Sequence, residues 1–213
     1  QHITQHGKGI LAADESTGTI TKRFAALGIE STEASRAAYR SLLAETNGLE
    51  KYISGVILFE ETLTQNNAAG VSITRLFEEK GIMPGIKVDK GLIDLALSSG
   101  EKTTQGLDGL AERLAIYKKQ GARFAKWRVV FHITDAWPSI QAVSANAELL
   151  ARYAAICQSL DIVPIVEPEV LMDGSHTLDR CEKVTHQVLQ QVFIALERHH
   201  VVLKHIILKP NMV

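Results

Sequence analysis

The chain has 213 residues, 46% of them hydrophobic, and a formal net charge of −1. That length can bury one full core, so a single domain over residues 1–213 is expected. The near-neutral charge gives no reason to look for nucleic acid or an anionic membrane as partner.

The opening QHITQHGKG (1–9) has no signal-peptide core, and no apolar run reaches the ~20 residues that span a bilayer. It leads almost directly into GILAADE (9–15), an apolar run ending in an acid, followed by the polar turn STGT. STEASRAAYRSLLAE (31–45) has a capping-box start, Ser31 or Thr32 ahead of Glu33 to Ser35, and then helical spacing. ISGVILFEE (53–61) reads as the second strand, SITRLFEEKG (72–81) as a helix stopped by Gly81, and MPGIKVDKG (83–91) as the third strand. GLDGLAERLAIYKKQG (106–121) is an amphipathic helix, ARFAKWRVVF (122–131) a strand, and residues 139–160 a long helix capped by a serine after Pro138. DIVPIVEPEV (161–170) is the fifth strand, and residues 177–200 form another helix. VVLKHIILKPNMV (201–213) reads as a buried strand with Lys209 at its carboxyl end, because Pro210 cannot continue a ladder. Cys157 and Cys181 fall in helical patterns and read as free thiols of a reducing compartment, so cytoplasmic is the default location.

Strict alternation of strand and helix, with no linker or low-complexity tract, indicates an α/β architecture with parallel strands. The alternatives are a (β/α)8 barrel and a doubly wound sheet. No GxGxxG follows the first strand, and several strands carry charges near their carboxyl ends, where a barrel gathers them at one mouth. Both observations favour the barrel. Six strands are read where such a barrel has eight and runs to ~250 residues, so an incomplete barrel lacking its last two strands is expected. An open parallel sheet has two unpaired edges, and residues 1–213 alone are expected to fold poorly and to lack turnover.

Period two along the strands places Lys126 and Arg128 on one face, Lys87 and Asp89 on one, and Glu167 and Glu169 on one, while Asp14 and Lys209 end their strands alone. Each residue by itself has a bland reading, as a snorkelling cation or a helix-capping acid. Taken together the bland reading fails, since charges in strand interiors are costly unless compensated. A lysine among cations and carboxylates suits an imine-forming nucleophile: Lys209 attacks a ketone, Lys126 is the neighbouring cation, and Glu167 is the acid–base group. Lys87 and Arg128 suit an anionic substrate such as a sugar phosphate. The eight histidines include no HxH or HExxH pairing, so no metal or other cofactor is expected.

GKGILAADESTGT, GVILFEETLTQ, GIKVDKGL, TTQGLDGL, FAKWRVV, IVPIVEPEVL and ILKPNMV, in this order and spacing over essentially the whole chain, resemble class I fructose-1,6-bisphosphate aldolase. The resemblance implies a metal-independent lyase of glycolysis and gluconeogenesis. Its reaction is the reversible cleavage of fructose 1,6-bisphosphate to dihydroxyacetone phosphate and glyceraldehyde 3-phosphate. It further implies that Lys209 is the Schiff-base lysine, that Glu167 shuttles protons as the imine forms, that Asp14 acts at the cleaved carbon–carbon bond, and that Lys126 assists carbinolamine chemistry. Glu169 is implied as a neighbouring carboxylate, Lys87 and Arg128 as substrate-binding cations, Ser16 and Thr19 as near the 6-phosphate, and Arg23 as near a bound phosphate. The 1-phosphate loop, its arginine and the family's terminal tyrosine fall outside these residues. The family also implies a homotetramer and side interactions with cytoskeletal partners. Two other readings stand beside it: another Schiff-base barrel aldolase such as transaldolase, and a non-catalytic scaffold.

Overall fold

Apolar runs bounded by glycine, proline and capping residues set the positions of most elements, and the computed structural model describes them over residues 2–212. Gln1 and Val213, which begin and end the first and last stretches read above, lie outside the described residues. The chain divides into two compact units, the first running to Lys87 and including Ala115–Phe124, the second made of Val88–Leu114 and the chain from Ala125 onward.

The first unit holds β1 (Gly9–Ala13), α1 (Thr17–Ala25), α2 (Glu33–Glu45), β2 (Ile53–Leu58), α3 (Ile73–Glu79) and β3 (Met83–Lys87). β2 lies between β1 and β3 and is parallel to both, with Leu58 level with Ala13 on one side and Ile86 on the other. Flanked on both edges, β2 carries the near-continuous apolar sequence ISGVIL, and Val56, Ile57 and Leu58 are all buried. Gly85 is required by packing: a Cβ there would lie 2.3 Å from the buried ring of Phe124. The stretch expected as a plain turn after β1 is instead the start of α1, whose cap is Ser16, accepting from the Thr19 N–H. The turn and the helix share residues here, because a serine in a polar turn is also a good N-cap. α2 does open with a capping box, formed by Thr32 and Ser35, and α3 is followed by Gly81 at φ +71°, the left-handed conformation that glycine adopts freely.

The second unit holds β4 (Leu92–Asp94), β5 (Lys102–Thr104), the start of α4 (Leu110–Lys119), all but the first residue of β6 (Phe124–Phe131), α5 (Ile140–Ser159), β7 (Val163–Val170), α6 (Leu178–Arg198) and β8 (Ile207–Leu208). β7 lies between β6 and β8, and α5 packs against both β7 and α6. Its core includes Trp127 and Tyr153, with ring centroids 5.5 Å apart. The β4–β5 hairpin has no counterpart in the sequence reading. Its strands are short and it is held by distant groups: the fully buried Asn146 donates to the Lys102 carbonyl at 3.0 Å, and Glu101 accepts from the Ser139 N–H at 2.8 Å. All six expected strands are shorter in the structure, the third and the last by the most. β3 ends at Lys87, leaving Asp89 beyond it, and the final strand contracts to two half-buried residues after a 3-10 turn at Leu203–His205. β-branched residues favour extended backbone, but pairing with a neighbour decides how much of it becomes strand.

Candidate functional site

The parallel register of β7 and β8 places the most charged part of the second unit. Ile165 is level with Ile207 and Val166 with Leu208, so the next step brings Glu167 level with Lys209. The ladder reaches that point, since the Lys209 N–H donates to the Val166 carbonyl at 2.9 Å, and Pro210 then has no N–H to extend it. Lys209 therefore stands just past the carboxyl end of β8, as its sequence context indicated.

Its ammonium is ion-paired with Glu167, and the other carboxylate oxygen of Glu167 is 2.8 Å from the Lys126 Nζ. Glu167 and Lys126 are buried, with side chains only 3% and 7% exposed, whereas 41% of the Lys209 side chain remains open to solvent. One buried carboxylate thus bridges two ammonium groups, only one of which a dissolved molecule can reach. The sequence reading placed the two lysines beside each other. In the structure the carboxylate lies between them, which compensates two cations that would otherwise be costly in a strand interior.

Two residues along each strand, the pattern repeats. Arg128 on β6 is ion-paired with Glu169 on β7, and both are partly exposed. Lys126 with Glu167 and Arg128 with Glu169 therefore line one face of the β6–β7 pair, as period-two alternation requires. Asp89, 7% exposed, accepts from the Arg128 N–H at 3.4 Å and from the Gly91 N–H at 3.2 Å, and Thr104 donates to the Arg128 carbonyl at 2.9 Å. The hairpin that the sequence did not reveal thus helps hold the strand that carries Arg128.

The first unit carries the remaining residues singled out above. Asp14 directly follows β1 and is half-buried, and Lys87 is the last residue of β3. Asp14 does not cap the following helix, so that bland role is taken by Ser16, whose hydroxyl lies 3.1 Å from that of the exposed Thr19. Arg23 is exposed and ion-paired with Glu15. Glu15 itself was not anticipated. It is joined by Arg40, which is 4% exposed and approaches within 2.6 Å of its carboxylate. The available signal was Arg40 recurring one helical turn after Arg36 and before Ala44, on the face that α2 buries.

Both cysteines are buried and unpaired, and burial pushes the Cys157 thiol far above its ordinary range. Among the described residues no group of three or more His, Cys, Asp and Glu side chains is placed to hold a metal ion, and no helix is long and apolar enough to cross a membrane.

Strand–helix repeats with acids and cations at strand carboxyl ends define the α/β class of the (β/α)8 barrel, of which the described residues supply six barrel strands. The family within that class follows from comparison with known proteins. The sequence model of class-I fructose-bisphosphate aldolase matches residues 1–213, and the chain belongs to that family. It is 58% identical over 213 residues to fructose-bisphosphate aldolase 1 of Toxoplasma gondii, covering 99% of this chain and 59% of that protein. It is 55% identical to the cytosolic fructose-bisphosphate aldolase 4 of Arabidopsis thaliana, covering 100% of this chain and 54% of that one. The structure of fructose-bisphosphate aldolase from Plasmodium falciparum, solved in complex with TRAP and a small-molecule inhibitor, superposes with a TM-score of 0.98 at 55% identity, over 100% of this chain and 62% of that chain. The chain thus spans between half and two thirds of the length of these relatives.

Proposed function

We propose that the whole protein to which these residues belong is a metal-independent aldolase acting in glycolysis and gluconeogenesis. It cleaves fructose 1,6-bisphosphate reversibly to dihydroxyacetone phosphate and glyceraldehyde 3-phosphate through an imine on Lys209. The observation that carries this reading is the buried Glu167 carboxylate between the partly exposed Lys209 and the buried Lys126.

The chemistry follows from that geometry. An ammonium is not a nucleophile, so Lys209 must first give up a proton, and Glu167 is within hydrogen-bond reach to take it. The free amine adds to the substrate ketone, forming the C–N bond of a carbinolamine. Glu167 then returns a proton to the departing hydroxyl, water leaves, and a protonated imine remains. Lys126, whose ammonium lies 2.8 Å from the other oxygen of Glu167, holds that carboxyl group in place while the proton is taken and returned. The imine draws the electrons of the breaking carbon–carbon bond into an enamine while a base removes the proton of the adjacent hydroxyl. Asp14 is assigned that proton by resemblance to the family. Protonation of the enamine and hydrolysis of the imine release the second product. Arg128 and Lys87 bind anionic substrate groups, with Glu169 fixing the Arg128 guanidinium; by resemblance to the family, Ser16 and Thr19 serve the 6-phosphate end and Arg23 lies near a bound phosphate.

We further place residues 1–213 within a single barrel domain of a homotetrameric, cytoplasmic enzyme, a location supported by two Arabidopsis relatives named cytosolic. A binding role besides catalysis is favoured by the Plasmodium falciparum relative having been solved with TRAP. The test of the main reading is to incubate the whole protein with dihydroxyacetone phosphate, reduce with borohydride, and map the adduct by mass spectrometry. An adduct on Lys209 is expected. Absence of any adduct there, in protein shown to be folded, would overturn the mechanism.

A further inference from the structure

The strand end that carries Asp14 is gripped from below by a buried arginine. Ala13 is fixed by its register with Leu58 of β2, and Asp14 follows it without any further strand pairing. The next residue, Glu15, has an almost buried carboxylate with its two oxygens divided between different partners. Oε2 accepts from Arg40 Nη1 at 2.6 Å, while Oε1 is ion-paired with the exposed Arg23 and lies 3.4 Å from the Tyr39 hydroxyl. Arg40 also donates through Nη2 to the main-chain carbonyl of Glu15 at 3.1 Å. Its guanidinium is 4.9 Å from the centre of the Tyr39 ring, which itself meets Phe24 edge-on at a centroid distance of 6.0 Å. The arginine is therefore locked by α2 and by aromatic packing, and it holds both the side chain and the backbone of the residue next to Asp14.

We infer that Arg40 is a positioning residue for Asp14: its fork on the Glu15 carboxylate and carbonyl sets the backbone from which the Asp14 carboxylate projects. The inference rests on the aldolase reading, which gives Asp14 its part in carbon–carbon bond cleavage. A single guanidinium edge must reach two acceptors, one of them main chain, so lysine cannot replace it: a point charge can compensate the carboxylate but cannot span both groups. In the aldolase reading imine formation draws on Lys209, Glu167 and Lys126, and Asp14 enters only at the later cleavage step. Loss of the fork should accordingly separate the two halves of the reaction.

The experiment compares Arg40→Lys with the parent in the whole protein. It counts active sites by borohydride trapping with dihydroxyacetone phosphate, and it measures turnover of fructose 1,6-bisphosphate per trappable site, so that any unfolded fraction drops out. Misplacing a reacting group by a fraction of an ångström costs about 10- to 100-fold in rate, and a fall of that order in kcat per trappable site is expected, with the trapping rate within about threefold of the parent. Two results would overturn the inference: unchanged turnover per trappable site, or trapping rate and turnover falling in parallel. Failure of the parent itself to be trapped at Lys209 is a distinct result, one that removes the aldolase reading and this inference with it.

Discussion

Replacing Glu167 with glutamine changes one oxygen for an NH2 group at nearly constant volume, and it should damage stability and catalysis by separable amounts. In the native protein the carboxylate is 3% exposed and compensates two ammoniums, of which only that of Lys209 has access to water. Removing one member of a buried pair typically costs about 3–5 kcal/mol, because the remaining charge is left uncompensated. Here Lys209 can be solvated and the new amide oxygen can accept one hydrogen bond, so the loss falls on Lys126 and is placed at the low end, about 3 kcal/mol. The catalytic loss is independent of this. A general acid–base group contributes about 100- to 10,000-fold, equivalent to about 2.7–5.4 kcal/mol in the barrier. Urea denaturation reads the first quantity, and the rate of borohydride-trappable imine formation with dihydroxyacetone phosphate reads the second, both in the whole protein. Glu169→Gln is the control, since its partner Arg128 is more than a third exposed and an exposed pair is worth about 0–1 kcal/mol. That variant should form the imine at the parental rate with a raised KM. If Glu167→Gln forms the imine within about threefold of the parental rate, Glu167 is not the acid–base group and the mechanism proposed above is wrong.

Two further outcomes test the scaffold of the first unit. Gly85→Ala places a methyl 2.3 Å from the fully buried Phe124 ring, which has no flexible end to yield. A destabilisation of about 3 kcal/mol, the upper part of the overpacking range, is expected in urea denaturation. Combining it with Phe124→Leu should recover part of that loss, and strict additivity of the two substitutions would show that the ring is not the obstacle. The hydrogen bond from Arg36 holds the Glu61 carboxyl below its ordinary value of 4.5. A carboxylate depressed in the folded state contributes stability above its unfolded pKa and loses it as pH falls through the folded one. The stability gap between the parent and Glu61→Gln should therefore be widest near neutrality and close progressively below about pH 4.5, and a gap that stays constant down to acid pH would count against the assignment.

Much of this protein was written locally. The alternation of apolar runs with capped amphipathic helices determined an α/β architecture, because period two, period 3.6, Ser139 and Thr32 at helix starts and Gly81 at a helix end are all short-range signals. Period two also determined that Lys126 and Arg128 share a face, as do Glu167 and Glu169, and Pro210 determined that Lys209 ends its strand. What no local signal could supply was which charges meet. That Glu167 lies between two lysines follows from the register of β7 on β8 and from the neighbouring place of β6, which are choices of tertiary pairing. The same holds for the β4–β5 hairpin, kept in place by Asn146 from a distant helix, and for Arg40, whose buried charge is compensated by Glu15 lying 25 residues away in sequence. Secondary structure is set by neighbours along the chain, whereas buried charge is tolerated only where a distant partner compensates it, and the fold alone brings that partner in.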